Sequence, residues 1–165
     1  MLSEAYCKEY SDQRGWAYIS LEQIHERGIN KGILKFRKGF DRIFVKIPPE
    51  IIPEIEEISK PSNKKLYEPS YVYDFLACHV GYGKNHLVVD NKEKKDFRWI
   101  EVKTGLQQLN PKQVQTLKKI SLKLYLFRVP YPLSDEPAYI HYDEVNSEYL
   151  VEHNHAVKGY KPPSK

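Results

Sequence analysis

The chain has 165 residues, 41% of them hydrophobic, which suits one compact domain with a core of its own. No apolar stretch is long enough to cross a bilayer, and MLSEAYCKEYSDQ carries neither an arginine-rich presequence nor a signal-peptide pattern, so a soluble intracellular protein of cytoplasm or nucleoid, with no membrane partner, is expected. Cys7 and Cys78 lie far apart, form no CxxC pair and cannot make a zinc or iron–sulfur site by themselves, so reduced thiols are expected, and the net charge of +4 permits a polyanionic partner without requiring one.

In chain order, SEAYCKEYSDQRG reads as a first helix, capped by Ser3, with Leu2, Tyr6 and Tyr10 at helical spacing and Gly15 ending it. WAYISLEQI begins as a strand. Ile33 to Ile47 alternates around Lys38-Gly39 and reads as a hairpin. After Pro48 and Pro49, Ile51, Ile55 and Ile58 share a helical face, and KPSNKK is a loop. Ser70 to Val80 reads as a strand stopped by GYGKN, with HLVV as a further short strand. Phe97 to Val102 is a strand of aromatic and β-branched residues. Asn110 then caps a helix with Pro111 at its first position and Val114, Leu117 and Ile120 along one face. LKLYLFRVP is a strand, another lies near AYIHY, and the tail ending in KGYKPPSK is loosely held. The whole reads as one domain over 1–165, a mixed α/β fold with a small central sheet, an insertion at about 30–66 and a loose tail at about 158–165.

Two charged anomalies interrupt the apolar strands. Side chains of a strand repeat every two residues, so Glu101 and Lys103 project from the same face. Asp74 stands in the middle of YVYDFLAC, where a bare carboxylate is costly unless it is paired or binds a metal. A salt bridge to a neighbouring lysine or arginine would explain Asp74 alone. If its strand pairs with that of Glu101, two carboxylates and one lysine converge at a sheet edge. With a main-chain carbonyl they form a hard oxygen site suited to Mg²⁺ or Mn²⁺, beside a positive charge that a pentavalent phosphate requires.

Asp74-Phe75-Leu76, then Trp99-Ile100-Glu101-Val102-Lys103, then Leu109-Asn110-Pro111-Lys112-Gln113, resembles the PD-(D/E)xK nucleases, and among them the VRR-NUC and archaeal Holliday-junction-resolvase branch. The resemblance covers roughly Asp74 to Val129 and the first helix. It implies a restriction-endonuclease-like core of αβββαβ order with a hairpin insertion, and a metal-dependent endonuclease selective for branched DNA, at home in repair or recombination. It makes Asp74 and Glu101 metal-binding acids and Lys103 the catalytic lysine, with the Val102 carbonyl as a further ligand and Gln113 supporting the site. Glu4 on the first helix fits the place of an additional glutamate, and Glu9 is its rival. A homodimer is implied as well, since symmetric cleavage of a junction needs two sites about a two-fold axis. Tyr73 stands where the family places a proline, and a long segment separates Asp74 from Glu101.

Simpler roles exist for several of these residues. Gln113, three residues after Asn110, closes a capping box, and Glu4 complements the dipole of its helix. The lysines of KEKK (Lys92–Lys95), with Lys112, Lys118 and Lys119, are either a solvated face or a track for a phosphate backbone. Lys35, Arg37, Lys38, Arg42 and Lys46 belong either to an ordinary amphipathic hairpin or to an extra nucleic-acid contact. His153 and His155 lack a third ligand, and GYGKN lacks the spacing of a phosphate loop. Two other functions fit the same residues: a nucleic-acid-binding protein that keeps the nuclease fold without catalysis, and a nuclease directed at RNA.

Overall fold

The structure, a computed structural model, describes residues 2–62, 68–81, 88–104, 107–129 and 141–145, with the backbone alone for Leu2 and 141–145. In order these residues form α1 (Leu2–Gln13), β1 (Trp16–Ser20), α2 (Leu21–Arg27), β2 (Ile33–Lys38) and β3 (Asp41–Lys46). A 3₁₀ turn at Pro49–Ile51 runs into α3 (Ile52–Ile58), and β4 (Phe75–His79), β5 (Phe97–Thr104), α4 (Pro111–Leu117), β6 (Lys123–Val129) and β7 (His141–Val145) follow. All seven strands join one open mixed sheet in the order β3-β2-β1-β4-β5-β6-β7. Neighbours are antiparallel except β5 and β6, which run parallel with α4 as the crossover between them. Without α2, β2, β3 and α3, the order is helix, three antiparallel strands, helix and two strands.

Alternation along the central strands buries both faces of the sheet. Leu76, Cys78, Phe97, Trp99, Leu124 and Leu126 face one way, into a large cluster with Leu21 and Ile24 of α2, Ile55 and Ile58 of α3 and Leu117 of α4. Phe75, Ala77, Ile100, Phe127 and Val129 face the other way, against Cys7, Tyr6 and Tyr10 of α1. Strands covered twice read as near-continuous apolar runs, which is why β4 is FLACH.

Several boundaries differ from expectation. Ser3 lies inside α1 instead of capping it, and its hydroxyl bonds Thr104 Oγ1 at 2.7 Å, tying the helix start to the end of β5. Strand β4 begins only at Phe75, so Asp74 stands at its entrance and not mid-strand. WAYISLEQI does not stay a strand: Ser20 accepts a hydrogen bond from Gln23 N and caps α2, which directly follows β1. Of HLVV, only the bridge of Val89 to Val45 is described, along the outer side of β3. Helix α4 stops at Leu117, so Ile120 packs on the core from beyond it. The last strand falls at His141–Val145; GYGKN beyond Gly81, His153, His155 and the tail lie outside the described residues.

Glu54 ties α3 to β5 and to the segment leading into β6. From α3 its carboxylate accepts from the indole N–H of fully buried Trp99 at 3.0 Å, from Ser121 N and Oγ at 2.6 Å, and from Leu122 N at 3.1 Å. Glu54→Ala leaves the indole N–H and two main-chain donors without their acceptor. It should lower unfolding free energy by about 3 kcal/mol in urea titration, whereas a loss under about 1 kcal/mol would show that water replaces the carboxylate.

Candidate functional site

Asp74, at the entrance to β4, donates its N–H to Ile100 O at 3.0 Å and accepts Val102 N–H on Oδ2 at 2.7 Å. It therefore sits at the pairing edge where β4 leaves β5. By the two-residue period, Glu101 and Lys103 follow Phe97 and Trp99 onto the face of the large cluster. That face is apolar until Trp99, and the two charged residues come where it meets the start of α4. Lys103 Nζ lies 3.1 Å from Glu101 Oε2, and the two side chains are 13% and 6% exposed.

Gln113 closes the arrangement. Its Nε2 donates to Glu101 Oε2 at 2.6 Å and to Val72 O at 2.9 Å. Its Oε1 accepts Asn110 N at 3.0 Å, while its own N–H bonds Asn110 Oδ1 at 2.9 Å. The capping box and support of Glu101 are thus one structure, not alternatives. Only an amide can do both, because a glutamate at this position would accept from Asn110 but repel Glu101. The side chain of Tyr73 is buried as well, and its hydroxyl donates to Gln113 O at 3.0 Å. Tyr73 thus anchors α4 to the segment that carries Asp74. Burial, then the nearby carboxylates of Glu101 and Glu54, push the Tyr73 phenol above its ordinary value and keep it a donor.

Burial is the first cause that raises Glu101, from 4.5 to about 8; the adjacent Asp74 carboxylate adds to the rise, and Lys103 opposes it. Two carboxylates in mutual reach share either a proton or a cation. Asp74 Oδ2 and Glu101 Oε2 hold the bonds given above, and the two carboxyl groups also lie in hydrogen-bond reach of each other. Two adjacent carboxyl groups of this kind offer hard oxygens that fit Mg²⁺ or Mn²⁺. Among the described residues no group of three or more His, Cys, Asp or Glu is placed to hold a metal.

Glu4 lies in the first turn of α1, half-buried, and both it and Asp74 act electrostatically on buried Cys7, but Glu4 makes no described contact with Asp74 or Glu101. Glu9 is exposed and acts on Asp12, towards the other end of α1. Lys112, Lys118 and Lys119 are exposed on and just after α4. Lys35, Arg37, Lys38 and Arg42 lie on the hairpin, separated from β4 by β1. Val72 and Tyr73 had no signal in the sequence, since their contacts to Gln113 cross about forty residues. No known protein family, curated protein or solved structure matches the chain.

The proton on Glu101 has a consequence for stability. Below its ordinary value of 4.5 both folded and unfolded chains carry the proton. As pH rises from there, the unfolded chain releases the proton first, so stability falls, by at most about 1.4 kcal/mol per pH unit for one proton, until the folded carboxyl also ionises near pH 8. Urea titrations in metal-free buffer between about pH 5 and about pH 8 should show this slope in the wild type and its loss in Glu101→Gln. Equal slopes would mean that Glu101 is ionised in the fold throughout.

Proposed function

We propose that the chain is a divalent-metal-dependent nuclease with a restriction-endonuclease-like core, hydrolysing phosphodiester bonds in DNA. The observation that carries this reading is the meeting of Asp74, Glu101, Lys103 and Gln113 from three separate segments at the neighbouring ends of β4 and β5. Its support from the fold is the order of α1, β1, β4, β5, α4 and β6, with β5 and β6 parallel.

Asp74 and Glu101 would hold Mg²⁺ or Mn²⁺, with the Val102 carbonyl and Glu4 as the further donors that the family resemblance implies. When bound, the ion supplies Lewis acidity at a phosphoryl oxygen and lowers the pKa of a water. Gln113 holds Glu101 in one rotamer by bonding a single oxygen. Val102 N–H does the same for Asp74. Lys103 supplies positive charge where the phosphate gains negative charge, and its partial burial strengthens that effect. Lys112, Lys118 and Lys119 extend positive charge along α4, and Lys35, Arg37, Lys38 and Arg42 add a second basic surface.

A second reading is nucleic-acid binding without cleavage. The 3.1 Å contact of Lys103 Nζ with Glu101 Oε2 favours it, because it gives each group a partner with no metal ion present. Cleavage assays separate the two. Asp74→Ala and Glu101→Ala should abolish Mg²⁺- or Mn²⁺-dependent cutting while fold and DNA affinity persist, and Lys103→Ala should cost about 10²–10³ in rate. Cutting at near wild-type rate in either acid variant would sink the site; no cutting by the wild type with any divalent ion, on DNA or RNA, would favour the second reading.

On the resolvase-like branch the protein is a homodimer that prefers branched DNA, reading shape and phosphates more than bases. Four-way and flapped substrates should be cut faster than linear duplex, and light scattering at micromolar concentration should give twice the chain mass. A monomer that cuts all of them equally would remove the resolvase assignment and leave the nuclease standing.

A further inference from the structure

Gly39 takes a φ of 61°, the left-handed value that the first central position of a tight two-residue hairpin turn demands, and its N–H bonds Asp12 Oδ1 at 2.8 Å. The turn holds the next residue, Phe40, wholly in solvent, at 104% exposure. Along the hairpin, Leu34, Phe36, Ile43 and Val45 point into the large cluster. The opposite face therefore carries Lys35 and Arg37 on β2 with Arg42, Phe44 and Lys46 on β3.

The register sets Lys35 opposite Phe44 and Arg37 opposite Arg42. Two guanidiniums directly opposed on adjacent strands repel one another. Arg27 joins them: it is the first cause that pushes Lys35 below its ordinary value, followed by slight desolvation, Arg42 and Arg37, and no carboxylate figures among these causes. Asp12 and Asp41 lie at the turn, and Asp90 lies one residue past the Val89 bridge. A face built against its own repulsion is neutralised by a polyanion.

Phosphates alone give no reason for the aromatic. Phe44 is 42% exposed in the midst of these cations, and among the described residues the only other exposed large apolar side chains are Phe40 and Val88. A ring flanked by guanidiniums suits a nucleobase on the ring with its phosphates on the cations. Duplex DNA keeps its base faces inside the stack, whereas a single strand offers them.

We infer that the outward face of the β2–β3 hairpin binds single-stranded DNA, with a base stacked on Phe44 and the flanking phosphates on Lys35, Arg37 and Arg42. The inference rests on the nuclease reading for its purpose: it makes a flapped or splayed arm the substrate element that the enzyme grips. The sheet order puts four strand spacings between β3 and β5, roughly 20 Å, a span of a few nucleotides.

The test is fluorescence anisotropy with labelled oligo-dT, an abasic oligomer of equal length, and oligo-U, all in EDTA so that cleavage plays no part. Wild type should bind oligo-dT more tightly than the abasic strand. Phe44→Ala should lose about tenfold on oligo-dT and nothing on the abasic strand, Phe44→Tyr should restore the affinity, and Arg42→Ala should weaken both. Equal binding of oligo-dT by wild type and Phe44→Ala, or of abasic and oligo-dT by wild type, would overturn base stacking. Tighter binding of oligo-U would overturn the assignment to DNA. Because the readout needs no metal, a wild-type protein that cuts nothing with any divalent ion but still shows this pattern separates failure of the nuclease reading from failure of this one.

Discussion

A strand covered on both faces has no room for an unpartnered charge, and β4 and β5 are such strands. Everything polar near them is displaced to their ends and tied down there. Asp74 comes just before β4, and Glu101 and Lys103 come late in β5. Asp74 and Glu101 each find a partner from another segment, and Lys103 pairs with Glu101 of its own strand. The amide of Gln113 is central to that bonding, since it spends both N–H groups on Glu101 and Val72 and its oxygen on Asn110. Helix α4 cannot shift along the sheet without breaking several of these bonds together. Bonds of this kind from several segments hold the carboxylates in one geometry before any ligand arrives.

The order of elements was legible in the sequence because it depends on local pattern. The two-residue alternation of FRWIEVKT marks β5, and Asn110-Pro111 with Gln113 marks the start of α4. What stayed hidden is what long-range contact decides. Ser3 has the side chain of a cap, but its hydroxyl turns to Thr104, which no local rule anticipates. Strand β4 is shorter than its apolar run because Tyr71 and Val72 pack on the core, and Tyr73 within it, without entering the ladder. Glu54 reads as an ordinary acid on an amphipathic helix, yet it binds Trp99 and the approach to β6.

The candidate site was legible to the same degree. Period two was enough to put Glu101 and Lys103 on one face, and the pairing of β4 with β5 brings Asp74 to them. The part played by Gln113 was harder to see, because its two roles look exclusive on paper. They are compatible only because an amide donates at one end and accepts at the other. Glu4 shows the limit of reading by position: a helix can be located from its sequence, but the turn of that helix which meets the site depends on how the helix crosses the sheet.

The short bridge between Val45 and Val89 bears on how the molecule avoids its own copies. Lys46 N donates to Val89 O, and Val89 N donates to Phe44 O, so the outermost strand of that side spends these ladder groups within the chain. A bare sheet margin is a template on which another molecule can add a strand, and aggregation grows from such margins. Here that margin is occupied over its C-terminal half and carries Arg42 and Lys46, whose like charges would meet themselves in any side-by-side stacking of hairpins. The same cations that crowd the hairpin face therefore also act as gatekeepers of solubility.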